Sequence, residues 1–255
     1  MKSTSAAREH ILAFGIYGGG KTHAWATIAQ MYREMATPGR FYVVGTEWGA
    51  LARLSDGYAD FGDNVEWQDV EDWYDLTSLT SEYLERAEAG DWIVIEGVDK
   101  PWQWVMELWD RLHGTPPKVM PNDPFSAAQD GSSTERDWIK INKVYRSWIN
   151  PILRSPAHVF ACCPQEQVRM PDPRKDKGGW HDSKEVIDQY SRFGYRPAGQ
   201  KELGHHFHSV LWMQNPRKDV WTMTTVDDHT REHQHDTQVT NFVHDYLVKV
   251  GKWEL

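Results

Sequence analysis

Short apolar runs alternate along this chain with segments of helical periodicity. Ile11-Leu12-Ala13-Phe14 is an unbroken apolar run stopped by Gly15, the form expected of a strand covered on both faces. After a glycine-rich turn, Ala24, Ile28, Met31 or Tyr32, and Met35 recur at helical spacing until Pro38-Gly39. Phe41-Tyr42-Val43-Val44 predicts a second strand, residues 72–88 a helix ended by Gly90, and Trp92-Ile93-Val94-Ile95 a third strand. A helix is expected over 102–112. A proline-rich loop over 114–133 precedes an amphipathic helix with Trp138, Ile141, Tyr145, Trp148 and Ile152 on one stripe. Residues 157–163 predict a fourth strand, and 167–200 reads as a long polar loop. The chain closes with a hairpin, 209–213 and 220–225, and a helix over about 240–250.

Strands alternating with helices predict an α/β fold, a mainly parallel sheet flanked by helices, here with a C-terminal antiparallel extension. No segment reads as a linker, so residues 1–255 are expected to form one domain, with its core over about 10–230. Composition narrows the class. Of 255 residues, 40% are hydrophobic and 25% charged, which excludes a disordered or low-complexity chain. The two cysteines, Cys162 and Cys163, are adjacent inside a strand and read as small core residues rather than a staple. A net charge of −9 argues against a wholly basic nucleic-acid coat. No apolar run approaches the roughly 18–20 residues of a membrane span, and the N-terminus lacks a signal-peptide pattern. These features predict an intracellular, cytoplasmic protein without a membrane partner.

The sharpest chemical signal is Gly15-Ile16-Tyr17-Gly18-Gly19-Gly20-Lys21-Thr22, a match to G-x-x-x-x-G-K-[ST] set between a strand and a helix. Glycines let successive backbone N–H groups turn inward around a phosphate chain, and the helix adds its positive N-terminal end. Lys21 is expected to reach the β- and γ-phosphates and Thr22 to bind Mg²⁺. Gly15, Tyr17, Gly18, Gly19, Gly20, Lys21, Thr22 and His23 are thus the candidate ATP-binding residues. Metal and water need carboxylates at neighbouring strand ends. Glu96 closes Trp92–Ile95 and is the candidate Mg²⁺ partner, with Asp99 as a substitute. Glu47 closes the run 41–47 and is the candidate base for the attacking water.

With a phosphate loop, a strand ending in an acid at Glu47, and His158–Gln165 as a later strand ending in glutamine, the chain resembles the RecA/RadA recombinase core. More narrowly, it looks like the phage-type P-loop "AAA domain" nucleotide-binding proteins. The segment 196–205 followed by the strand 209–213 is similar to the return from that family's second DNA loop. The resemblance implies a RecA-like P-loop NTPase, a DNA-stimulated ATPase of phage-type recombination or annealing. It implies Gln165 as a γ-phosphate sensor and a homo-oligomer with ATP at the subunit interface, completed by a neighbour's Lys201, Arg217 or Lys218. Two residues depart from the pattern, with Glu in place of Asp at position 96 and Pro164 beside the glutamine.

The resemblance also implies that residues 114–136 and 166–200 are the positional equivalents of the two loops that contact single-stranded DNA in a RecA-like core. The second carries Arg169, Arg174, Lys175 and Lys177, with Trp180, Tyr190, Phe193 and Tyr195 as stacking candidates. Acids dilute this basic window, and a solvated charged loop is the plain alternative. His205, His206, His208, His229, His233 and His235 lack the context of a zinc site. Trp138 and Trp148 read as core, whereas Trp48, next to Glu47, is expected to flank the nucleotide or a neighbouring subunit. A small-molecule kinase with residues 169–177 as its lid, or a nucleotide-gated packaging ATPase, remains as the alternative function.

Overall fold

A computed structural model describes residues 2–3, 8–34, 39–46, 62–113, 135–171, 181–228 and 234–254. Its elements keep the predicted alternation. The N-terminal half runs β1 (His10–Gly15), α1 (Lys21–Glu34), β2 (Phe41–Gly45), β3 (Val65–Asp69), α2 (Trp73–Arg86), β4 (Trp92–Glu96) and α3 (Lys100–His113). The C-terminal half runs α4 (Glu135–Arg154), β5 (His158–Gln167), α5 (Lys184–Tyr190), β6 (Tyr195–Pro197), β7 (Ser209–Arg217) and β8 (Val220–Asp228).

The strands form one sheet in the order β8-β7-β1-β5-β4-β2-β3, with Thr237–Gln238 on the outer edge of β8. Every neighbouring pair from β7 to β3 is parallel, and β8 turns back antiparallel on β7. The fold is therefore α/β, with a mostly parallel mixed sheet flanked by helices. Strands β1, β2 and β4 are buried along their whole length, which explains their continuous apolar runs. Side chains alternate between two layers. Leu12, Phe14, Ile93 and Ile95 pack with α2, α4 and α5, including Leu76, Tyr145, Ile152 and Tyr190. Ile11, Ala13, Trp92 and Val94 pack beneath α1 and the C-terminal segment, against Trp25, Ile28, Phe242 and Tyr246.

The predicted stripe of α4 is buried at Ile141, Tyr145, Trp148 and Ile152, and Trp148 Nε1 donates to Thr80 Oγ1 at 3.0 Å. Cys162 and Cys163 are free thiols within β5, both buried. Four expectations change. The stretch 167–200 is not one loop: Ser183 Oγ caps α5, whose Val186 and Tyr190 bury at i,i+4 spacing beneath a charged exterior. Strand β3 lacks an apolar run because it is an edge strand with partly exposed side chains. The hairpin arms extend to Arg217 and Asp228, joined through Asp219 at φ 60°. The C-terminal helix is a π-helical turn, Val243–Val248, whose Asp245 carboxylate accepts the Thr240 and Asn241 amides. Among the described residues no helix is long and apolar enough to cross a membrane.

Candidate functional site

The parallel strands place their C-terminal ends along one rim. Gly15, last in β1, pairs with Pro164 on one side and Met213 on the other. Position 15 must be glycine because a Cβ there would lie 1.8 Å from the Met213 carbonyl oxygen. The loop beyond it turns through Gly18 at φ 74° and Gly20 at φ 91°, conformations costly for other residues. Gly19 N–H donates to the Ile16 carbonyl at 3.1 Å and closes the turn. The first helical bond runs from Ala24 N–H to Gly20 at 2.9 Å, so the amides of Lys21, Thr22 and His23 precede it. Lys21 Nζ donates to the carbonyls of Gly15 at 3.2 Å and Ile16 at 2.9 Å, which folds its charge over the loop. A strand end, two left-handed glycines and the opening turn of a 14-residue helix thus meet at one loop, with the Lys21, Thr22 and His23 amides ahead of the first helical bond.

Glu96 lies in the row Gly45–Glu96–Cys162, and Cys162 pairs with Ala13, two residues before Gly15. Its backbone therefore sits about 6.6 Å deeper along the strands than Gly15. Its carboxylate is buried on the α1 side, where Oε1 accepts a hydrogen bond from Trp25 Nε1 and lies 3.7 Å from Cys162 Sγ. Trp25 comes three residues after Thr22, so both share one face of α1. Burial pushes the Cys162 thiol well up, Glu96 adds to that shift, and Lys21 opposes it, so Lys21 and Glu96 act on the same spot. Asp99 instead raises the thiol of Cys163 and the phenol of Tyr145, groups of the opposite layer that burial has already pushed up. Of the two acids, Glu96 is the one in contact with α1, through Trp25. The Thr22 hydroxyl and the Glu96 carboxylate supply oxygen atoms of the kind Mg²⁺ takes.

Glu47 and Trp48 lie outside the described residues. The chain entering them is anchored: Thr46 Oγ1 donates to the Glu96 carbonyl at 2.8 Å and to that of Gly97 at 2.9 Å. Gln165 lies one residue beyond the Gly15–Pro164 pair, and its Oε1 accepts Trp212 Nε1 at 2.8 Å. Strand alternation puts it on the face of Cys163 and Phe14, away from α1. Pro164 spends its carbonyl on Ala198 N–H at 2.9 Å, an interaction that needs no amide from the proline.

Residues of the basic window are dispersed. Arg169 is exposed and pairs with Glu166 at 3.2 Å, while Arg174, Lys175, Lys177 and Trp180 lie outside the described residues, as does most of 114–136. Tyr190 is buried edge-on to Phe14, and Phe193 packs on Trp212 beneath Arg192, so neither offers a face for a base. Tyr195 is 37% exposed. Lys201 is held 3.3 Å from Asp182, a buried carboxylate that also binds Arg196 at 3.3 Å. Burial pushes the Asp182 carboxyl up, but the Arg169 amide, Arg196 and Lys201 together bring it below the usual range. Arg217 and Lys218 are exposed at the hairpin turn. His229 and His233 lie outside the described residues.

Two tryptophans that periodicity did not single out belong to this rim. Trp25 holds Glu96, and its signal was the i,i+3 spacing from Thr22. Trp221, on β8, donates Nε1 to the Gly18 carbonyl at 3.1 Å across 203 residues of chain, a contact with no local signature. Comparison with protein-family models returns no match, and comparison with curated proteins returns none.

Proposed function

We propose that this chain is a RecA-like P-loop protein that binds and hydrolyses ATP and acts on single-stranded DNA in recombination or annealing. The loop at Gly15–Thr22 carries the reading. Left-handed glycines, the helix-opening amides and Lys21 form a cup suited to a triphosphate tail. Strand order supports hydrolysis. Strand β5 separates β1 from β4, which sets the loop strand and the Glu96 strand about 10 Å apart and leaves room for a hydrated ion and a water. Mg²⁺ held by Thr22 and, through water, by Glu96 would supply charge neutralisation on the phosphates. Glu47, next after the anchored Thr46, is the proposed base for the attacking water.

Support for the polymer is Arg169, exposed beside the segment bearing Arg174, Lys175 and Lys177. Support for a homo-oligomer with ATP at the interface is Tyr17, 77% exposed at the tip of the loop. The test is ATP turnover by the full chain with and without single-stranded DNA, together with size-exclusion in the presence of ATP. Turnover that rises with DNA, nucleotide-dependent oligomers, and a Glu47→Gln variant that binds ATP but hydrolyses it about 10²-fold more slowly are expected. A phosphorylated small-molecule product, or DNA-independent turnover, would overturn the DNA-acting reading.

A further inference from the structure

Beside the phosphate loop, on the β7–β8 side, lies a cavity of about 190 Å³. Gly20, His23 and Ala24 of the loop and α1 form one wall. Met213, Trp221 and the edge residues Gln238–Thr240 with Phe242 form the other. Its apolar floor and few polar edges are those of a small-molecule site. The His23 and Trp221 rings face it nearly parallel, 16° apart in plane, with centroids 6.4 Å apart. Two nearly parallel aromatic faces at the cavity offer stacking surface to a planar ring.

The indole is fixed rather than mobile. Its Nε1 is tied to the Gly18 carbonyl, and its Cδ1 lies so close to Gly20 that a Cβ there would sit 3.2 Å away. Behind it, Val239 N–H donates to the Trp221 carbonyl at 2.9 Å and locks the edge strand to β8. Gln238, Thr240 and Asp219 are polar residues of the cavity's lining, with the Thr240 hydroxyl donating to Asp245 at 3.2 Å.

We propose that this cavity is the nucleobase site, with a purine stacked on the Trp221 indole and flanked by His23. The inference rests on the phosphate-loop reading and adds a second, chemically independent half to that site. A bicyclic base covers an indole more fully than a pyrimidine does, and base–aromatic stacking is worth roughly tenfold to a hundredfold in affinity. Because the indole also touches Gly18, its stacking has to be separated from its contact with the loop.

Three probes separate them by equilibrium binding to the full chain with Mg²⁺: a non-hydrolysable ATP analogue, the matching CTP analogue, and inorganic tripolyphosphate. The wild type is expected to bind the ATP analogue most tightly, with the CTP analogue nearer to tripolyphosphate. Trp221→Ala is expected to weaken the ATP analogue about tenfold to a hundredfold while leaving tripolyphosphate within about twofold. Trp221→Phe, which keeps a ring but loses the Gly18 hydrogen bond, is expected to recover most of the loss. His23→Ala is expected to weaken the ATP analogue severalfold. If Trp221→Ala binds the ATP analogue as the wild type does, or loses both ligands equally, the clamp is wrong and the phosphate cup stands. If the wild type binds none of the three, the cup itself is wrong and the clamp falls with it.

Discussion

The parallel strands end in two opposite ways. At their C-terminal rim, glycines hold left-handed turns, Lys21 lies over carbonyls and Glu96 is held by Trp25 of α1. At the N-terminal rim aromatic and polar side chains pack against one another. His10 stacks on His208 at 4.4 Å, His158 lies between Trp92 and Trp253, Glu9 N–H donates to His158 Nδ1 at 2.9 Å, and Trp253 Nε1 donates to Glu9 at 2.8 Å. One end carries an open glycine turn, and the other packs rings and hydrogen-bonded side chains over the core. The same strands supply both, so the difference lies in the residues joined to each strand end: a glycine turn at one, stacked rings at the other.

That contrast can be broken most strongly at the ligand end. Lys21→Ala is expected to lower ATP turnover by 10²-fold or more, because a preorganised charge at a phosphate is worth about that. Steady-state turnover alongside an unchanged melting temperature checks it, and retained hydrolysis would remove the loop from the mechanism. Gly15→Ala tests the close approach beneath that loop. The added Cβ meets a backbone carbonyl, so about 3 kcal/mol is expected, the upper end for overpacking. Thermal unfolding should register it as roughly 6–12 °C.

The closed end is probed by pH. Burial, then the charges of His208, Arg8 and His158, lower the His10 pKa to about 4, so the folded state keeps it neutral while an unfolded chain protonates it near 6.5. Protons then favour unfolding, and stability falls as pH drops from 7 towards 4 and levels off below. His10 is expected to contribute about 2 kcal/mol of that loss between pH 7 and pH 5. Urea unfolding at both pH values, compared with a His10→Phe variant of shallower slope, measures it. Equal slopes would show that His10 is not the titrating group. The smallest effect is expected from Trp253→Phe, which deletes one hydrogen bond to buried Glu9 for about 1 kcal/mol. Urea midpoints should shift without any change in nucleotide affinity.

Much of the scaffold was legible from pattern. The runs at 11–14, 41–44 and 92–95 become β1, β2 and β4 because a strand covered on both faces has to be apolar throughout. The α4 stripe was equally plain, since its buried residues recur at helical spacing. Strand β3 and helix α5 were missed because an edge strand and a half-exposed helix leave too few buried positions to show a period. The loop Gly15–Thr22 was legible because turn, lysine and hydroxyl are contiguous in the chain.

What local order fixed was therefore the alternating α/β layout, the glycine turn and its flanking elements, all consequences of neighbours within a few residues. Tertiary packing alone decided that Glu96 meets Trp25 of α1 while Asp99 acts on Cys163 and Tyr145 of the opposite layer. It also turned Gln165 towards Trp212 and brought Trp221 to Gly18 and His23. Those choices depend on strand order and register, which set residues far apart in the chain side by side. Periodicity says which face of an element is buried, but only the assembled sheet determines what that face meets.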